Sequence, residues 1–224
     1  MDRPSPTRLA AVVVASWIVL EVALRWGLVL AAARVGIDPR LADALVLLLG
    51  FPLIAAVLSR YVLERGREPD RWGWEWTPRS LGMGVLAAIV GFGLIAGASR
   101  LDAVLFGLGS AASARDGLTT TTAVILLVGN GLVVPIAEEQ VWRGIVQTEL
   151  VEARGAAVGI GVTAVLFAFK HVIVDLSILR LTTLLTLAVL FGIVRHRWGT
   201  ASSAVTHALV NTVSTVGLVV AAVG

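Results

Sequence analysis

Long apolar runs recur along this chain and leave few folds open to it. Several approach or exceed the length of about 20 residues that a helix needs to cross a bilayer. They lack the alternation of apolar and polar residues that marks a membrane β-barrel strand. Hydrophobic residues fill 57% of the 224 positions, and the mean hydropathy is +0.89. We therefore predict an all-α polytopic transmembrane helix bundle that forms one membrane-embedded domain over residues 1–224.

The runs predict about seven spanning helices. Their expected ranges are 9–33, 41–62, 81–98, 119–151, 156–174, 178–194 and 199–223. Residues 101–112 are apolar but short, which favours an interfacial or re-entrant piece. The first run is too long and too charged for a cleaved signal peptide, so we expect it to stay attached.

Arginine and lysine residues divide unevenly between the predicted loops. With the N-terminus in the cytoplasm, the inside loops carry eleven and the outside loops six. Cytoplasmic loops are enriched in these residues, so we expect a cell-membrane protein with a cytoplasmic N-terminus. Trp72, Trp74 and Trp76 alternate within the polar segment 59–79, which is typical of an interfacial belt; a groove for a lipidated partner is the alternative.

The charge pattern also bounds the partners and cofactors. The sequence lacks the kind of basic stripe that would indicate nucleic-acid binding. Membrane lipids with anionic headgroups are therefore the expected partners. The chain has no cysteine, so any metal ion would need histidine and carboxylate ligands.

Glu138, Glu139 and Arg143 lie within the fourth apolar run, where an ionisable group is costly unless it is paired or hydrated. Glu139 and Arg143 are four residues apart and share a helix face, whereas Glu138 points roughly 100° away. We expect Arg143 to hold Glu139 and leave Glu138 free for chemistry. Glu21 and Arg25 have the same spacing in the first run, which predicts a mutually neutralising pair.

Two of the three histidines also lie in apolar runs. Glu139 is sixteen residues before Gly155 and His171 sixteen after it, so in an antiparallel helix pair both lie roughly 24 Å from the turn. His207 is in the last run, and Asn211 shares its helix face. His196 lies in a short polar turn and is expected at the surface.

Other polar residues of the last runs have simpler interpretations. Ser202 and Ser203 are expected to cap the seventh helix. Lys170 is next to His171, and we expect it to face away, 100° round the helix.

A glutamate, two histidines and an amide on converging helices suit hydrolysis. A carboxylate, or a metal that it holds, activates water; imidazoles bind the metal or move protons; an amide stabilises an oxyanion. The sequence has no His-Glu-x-x-His, Gly-x-Gly-Asp or Gly-x-Ser-Gly motif of other intramembrane proteases. A proton-coupled transporter and a non-hydrolytic scaffold remain alternatives.

Three ordered motifs carry a family resemblance. Glu138-Glu139-x-x-x-Arg143, Phe167-x-x-x-His171 and His207-x-x-x-Asn211 resemble those of the CPBP intramembrane endopeptidases, the family of CAAX prenyl protease 2 and of bacteriocin-processing Abi proteins. The resemblance covers residues 119–224, which would form the catalytic part.

The resemblance implies a role for each matching residue. Glu138 would activate water with His171 as its partner, and Glu139 would be the structural acid paired with Arg143. His207 and Asn211 would supply a second ligand and the oxyanion side. Phe167 and Trp142, the latter in place of the commoner phenylalanine, would contact the substrate.

The family also implies a cofactor and a substrate. A divalent metal, most simply zinc, would be held by Glu138, His171 and His207; the alternative is glutamate chemistry without bound metal. The substrate would be a membrane-anchored or lipidated protein, such as a CAAX-type prenylated one, cleaved near the cytoplasmic leaflet. A non-hydrolytic immunity protein of the same fold is the alternative function.

Overall fold

The computed structural model describes residues 4–107 and 118–223, without the side chains of 221–223. These residues form long helices joined by short connections and contain no β-strand. Six helices are long and apolar enough to cross a membrane. They are α1 (Pro6–Arg34), α2 (Pro39–Leu63), α3 (Pro78–Phe106), α4 (Thr120–Arg154), α5 (Ala156–Asp175) and α6 (Leu181–Val223). The predicted all-α polytopic bundle is confirmed.

Helix α6 contains both the sixth and the seventh predicted spans. Gly199 interrupts it with φ 86° and ψ 168°, a conformation that glycine adopts without steric cost. Phe191 and His207 lie eight residues before and after Gly199, and their rings stack with centroids 4.5 Å apart. This contact shows that the chain folds back at Gly199. Gly155 has φ 81° and ψ 165° and makes the corresponding turn between α4 and α5.

The interfacial piece predicted for residues 101–112 is wrong over its first half. Residues 101–106 continue α3, whose last turn ends at Gly107. Asp102 explains why the helix continues: its carboxylate is buried and accepts hydrogen bonds from the backbone amides of Thr182 and Thr183 at the start of α6. Residues 108–112 lie outside the described part of the chain.

Several spanning helices contain π-helical turns. They are Ala23–Leu28 in α1, Val46–Gly50 in α2, and Gly129–Val133 and Glu139–Gln147 in α4. The last includes Glu139 and Arg143 of the charged motif and begins directly after Glu138. π-helical turns are often found at functional sites. Their position in α4 therefore indicates that a functional site lies in this part of the bundle.

The connection between α2 and α3 covers one end of the bundle. It contains a short 3₁₀ helix, Pro69–Trp72, and the Gly73 carbonyl accepts a 2.8 Å hydrogen bond from the Thr200 amide. Trp72 is buried in the core, so the interfacial belt predicted for the three tryptophans is wrong for this one. Trp74 stacks on Trp76, which is 55% exposed.

Candidate active site

Glu139 is fully buried and is contacted by three side chains, one from its own helix α4 and two from α6. Arg143 Nη1 lies 3.3 Å from its Oε1 atom, and the Ser203 hydroxyl donates to Oε2 over 2.5 Å. His207 Nδ1 lies 3.0 Å from Oε1. The Arg143 guanidinium also sits 4.3 Å from the Phe167 ring centroid, a cation–π arrangement. Glu139 therefore anchors the histidine of α6 to α4.

His207 is held between the two glutamates. Its Nδ1 atom contacts Glu139, and its Nε2 atom faces Glu138 Oε2 across 3.8 Å. The ring is fixed by stacking on Phe191. A gap of 3.8 Å is longer than a hydrogen bond, so the two groups face each other without direct bonding.

Glu138 is also paired with a buried cation. Lys170 Nζ lies 2.5 Å from Glu138 Oε1 and contacts both oxygens of Glu21 at 3.0 and 3.1 Å. Trp17 Nε1 donates to Glu21 over 2.7 Å. All four residues are at most 1% exposed. The expectation that Lys170 faces away is wrong, because a carboxylate on either side offsets the desolvation of its ammonium group.

The predicted Glu21–Arg25 pair is also wrong. Glu21 is taken by Lys170 and Trp17, whereas Arg25 contacts Asp43 at 3.2 Å and Asp175 at 3.0 Å. The Asp175 carboxylate lies 3.7 Å from His171 Nδ1 as well. Two aspartates from α2 and α5 give Arg25 better-placed partners than a glutamate on its own helix.

A cavity of about 640 Å³ joins these groups. Among the residues predicted from sequence, those that line it are Glu138, Phe167, His171, His207 and Asn211. The Asn211 amide donates one 3.1 Å hydrogen bond to the Asn130 carbonyl. Trp142 instead packs in the core against Trp17 and Phe167, with no exposed surface, and is not among the residues that line this cavity.

The predicted metal ligands do not fit a metal in this arrangement. Within residues 4–107 and 118–223, no group of three histidine or acidic side chains is placed to hold one. Glu138 offers one oxygen to the Lys170 ammonium, and its other oxygen is 3.8 Å from His207. The ammonium group occupies the side of Glu138 where a cation would bind.

Sequence reasoning missed Ser203, Lys170 and Glu21 as site residues. Ser203 does not cap a helix as predicted, since its hydroxyl donates to Glu139 and to the Phe191 carbonyl. Its spacing of four from His207 was the available signal, because it places both side chains on one helix face. His196, by contrast, is exposed, as its position in a polar turn predicts.

Residues 120–213 match the family model described as type II CAAX prenyl endopeptidase Rce1-like. The CPBP-family prediction is confirmed. The matched region contains every candidate residue from Glu138 to Asn211, whereas Glu21 and Arg25 lie outside it. No curated protein and no solved structure matches the chain.

Proposed function

We propose that this chain is an intramembrane endopeptidase in which Glu138 activates a water molecule against a peptide bond. The family match supports a CAAX-type intramembrane protease in general. The observation that carries the proposal is His207, fixed by Glu139 on one nitrogen while its other nitrogen faces Glu138 at the wall of a cavity. A base, an oriented imidazole and an adjoining cavity are the parts that hydrolysis requires.

The 3.8 Å gap between Glu138 and His207 defines the reacting position. When the Nδ1–H group donates a hydrogen bond to Glu139, the neutral imidazole presents a lone pair on Nε2. A water molecule beside the gap donates one hydrogen bond to Glu138 and another to Nε2. Its lone pairs are then directed at the cavity. Glu138 takes one proton as the water attacks and returns it to the nitrogen of the leaving amine when the C–N bond breaks. The proton left on the new carboxyl group passes to Nε2 of His207 and from there to the released amine, so Glu138 and the imidazole return to their starting states.

The remaining cavity residues have supporting roles in this proposal. One Asn211 amide proton is used by the Asn130 carbonyl, so the second is free to stabilise the oxyanion of the attacked carbonyl. His171 lines the same cavity beside Phe167, with ring centroids 5.1 Å apart, and moves protons between the site and Asp175.

Lys170 supplies the positive charge beside Glu138. A carboxylate at membrane depth would otherwise be driven to its neutral form. The ammonium group keeps Glu138 anionic and therefore able to act as a base, while Glu21 balances the extra charge. No step of the proposed reaction passes through a metal.

Cleavage of a fluorogenic membrane-anchored peptide by the purified protein tests the proposal. We expect Glu138→Gln and His207→Ala each to reduce cleavage by roughly two to four orders of magnitude, the contribution of a general base. His196→Ala is the matched control, because this histidine is exposed. Equal activity in all three variants would reject the assignment.

A chelator added to the same reaction tests the metal question separately. Because Lys170 already occupies the cation side of Glu138, we expect activity to persist after chelation. Activity that is lost with chelator and restored by zinc would show that the predicted metal site forms in the working enzyme. The same assay with a prenylated CAAX peptide and a non-prenylated anchored peptide distinguishes the two substrate classes.

A non-hydrolytic scaffold of the same fold is the second candidate. It is favoured by one observation, that Glu138 and Glu139 are both already neutralised by buried cations. Unchanged cellular function in Glu138→Gln and His207→Ala would support it. A transporter has less support, because the connection between α2 and α3 covers one end of the bundle.

A further inference from the structure

We infer that the cavity opens on the side of the membrane away from the cytoplasm, so that the substrate is a membrane-anchored peptide presented at the extracytoplasmic leaflet. The end of the bundle at which the cavity opens follows from the residues that line it, and the membrane side of that end follows from the distribution of arginines. The meaning of this opening for the substrate rests on the proposed hydrolase function.

The residues that line the cavity all lie toward one end of the bundle, which we call the open face. The deepest are Glu138, Phe167, Phe191 and His207, near the middle of their helices. From there the lining follows each helix toward the connections α1–α2, α3–α4 and α5–α6. Those outer residues are Arg25, Asp43, Ser99, Asp102, Gly107, Leu126, Asp175, Arg180 and Leu218. The described part of the lining therefore leads from Glu138 to this end of the bundle.

The opposite end, which we call the covered face, is closed by the α2–α3 connection. Trp72 is 8% exposed and packs close to Gly144, one turn beyond Glu139. The Thr200 hydroxyl donates to the Trp72 carbonyl, and Arg67 makes a two-pronged contact with the buried Glu149. These contacts lie between Glu138 and the solvent at this end.

Arginine residues are concentrated at the covered face. Nine described arginines are at or near its connections, whereas the open face has five. The nine are Arg8, Arg60, Arg65, Arg67, Arg71, Arg79, Arg154, Arg195 and Arg197, and the five are Arg25, Arg34, Arg40, Arg100 and Arg180. Arg143 and Lys170 are fully buried inside the bundle and belong to neither face.

The arginine bias identifies the covered face as cytoplasmic, because cytoplasmic loops are enriched in arginine and lysine whatever their acidic content. A cytoplasmic N-terminus and hydrolysis at the cytoplasmic leaflet are therefore incompatible in this fold. A prenylated protein delivered from the cytoplasm would meet the covered face. A peptide anchored in the outer leaflet reaches Glu138 through the open face.

The absence of cysteine from the chain allows a direct test. Single cysteines are introduced in the open-face loop (Val35→Cys, a residue 75% exposed), in the cavity wall (Ser99→Cys) and in the covered-face loop (Glu68→Cys). Sealed spheroplasts are treated with a membrane-impermeant maleimide, and the unsubstituted chain gives the background. Each labelled fraction is compared with that after permeabilisation.

We expect Val35→Cys and Ser99→Cys to be labelled in sealed spheroplasts, and Glu68→Cys only after permeabilisation. The reverse pattern would show a cavity open to the cytoplasm and would overturn the inference, as would equal labelling of both loops. Labelling requires no turnover, so this result is independent of whether the chain hydrolyses peptides. The peptide cleavage assay tests the proposed function by itself.

Discussion

Lys170 shows what a single buried charge does in this bundle. Lys170→Met leaves Glu21 and Glu138 as buried acids without their shared cation. Removing one partner of a buried ion pair typically costs about 3–5 kcal/mol. We expect a loss of that size in the free energy of unfolding, measured by denaturant titration in mixed micelles.

Arg154→Met provides the matched control for this substitution, because Arg154 is exposed at the end of α4. We expect its effect to stay within about 0.5 kcal/mol. An unfolding free energy for Lys170→Met that equals that of the control would contradict the buried network.

Ser203 tests whether the orientation of His207 through Glu139 matters for catalysis. Ser203→Ala removes a hydrogen bond to a buried carboxylate, which is worth about 1.5–3 kcal/mol. We expect kcat to fall by roughly ten-fold or more with little change in KM, because the substrate does not contact this hydroxyl. Ser202→Ala is the control, since Ser202 bonds only to the Trp198 carbonyl of its own helix; equal kinetics in the two variants would argue against the positioning role.

At the scale of residues, spacing predicted contacts within a helix better than contacts between helices. The spacing of four brought Glu139 to Arg143. The same spacing failed for Glu21 and Arg25, because α5 presents Lys170 to Glu21. Arg25 is contacted instead by aspartates of α2 and α5. Which face of α5 turns inward depends on packing against α1, and a single sequence does not contain that information. For this reason Lys170 was expected to face away.

At the scale of elements, a glycine of α3 allows close approach to the second half of α6. A methyl group on Gly84 would lie 2.7 Å from the Ser202 carbonyl and 2.7 Å from Val205 Cβ. Helices in membranes associate through such small residues. Gly84→Ala should therefore destabilise the fold by about 1–3 kcal/mol, as overpacking does, in the same denaturant titration.

Gly82→Ala is the matched control on the same helix, because nothing lies within 4 Å of the added methyl group. We expect it to be neutral or to stabilise α3 by up to about 1 kcal/mol, the helix-propensity difference. Equal destabilisation by Gly84→Ala and Gly82→Ala would show that Gly84 is not required for close packing of α3 against α6.

The spanning helices were predicted within a few residues at most boundaries, because length and apolarity are local properties. The range 156–174 compares with Ala156–Asp175, and 41–62 with Pro39–Leu63. The failure at 101–112 has a physical cause. The run 101–112 was interpreted as a separate piece because it is apolar but short. In the structure its first residues continue α3, because Asp102 is satisfied by the amides at the start of α6, a contact between segments about 80 residues apart.

At the scale of the whole molecule, Arg67 links the α2–α3 connection at the covered face to α4 and to the N-terminal residues. It contacts Glu149, which is 3% exposed, and the Pro4 carbonyl. The hydrogen bonds to Glu149 raise the pKa of the Arg67 guanidinium above its usual value, so it stays charged. Arg67→Ala leaves a buried carboxylate with fewer partners and should destabilise the fold by about 1–3 kcal/mol.

The control for Arg67 is Arg60→Ala. Arg60 pairs with Glu64 across an exposed helix surface, where ion pairs contribute at most about 1 kcal/mol. If Arg67→Ala lowers the free energy of unfolding no more than Arg60→Ala does, the α2–α3 connection is held by other contacts. Neither substitution touches the cavity.

The order of the three motifs was enough to predict the family and the convergence of α4, α5 and α6 near one cavity. It could not predict which end of the bundle that cavity opens toward. Depth along a helix can be counted from a turn, but the covering of one end by residues 64–77 depends on long-range contacts such as Arg67 with Glu149. The arginine bias was visible in the sequence, and its consequence for substrate access was not.

Hydrolysis in heavy-oxygen water tests the central claim, that Glu138 activates water, most directly. The anchored peptide is cleaved by the purified protein, and the new carboxyl terminus is analysed by mass spectrometry. We predict one heavy oxygen in that carboxylate with the unsubstituted chain and with His196→Ala, and neither product nor label with Glu138→Gln. Labelled product formed at an undiminished rate by Glu138→Gln would contradict the account.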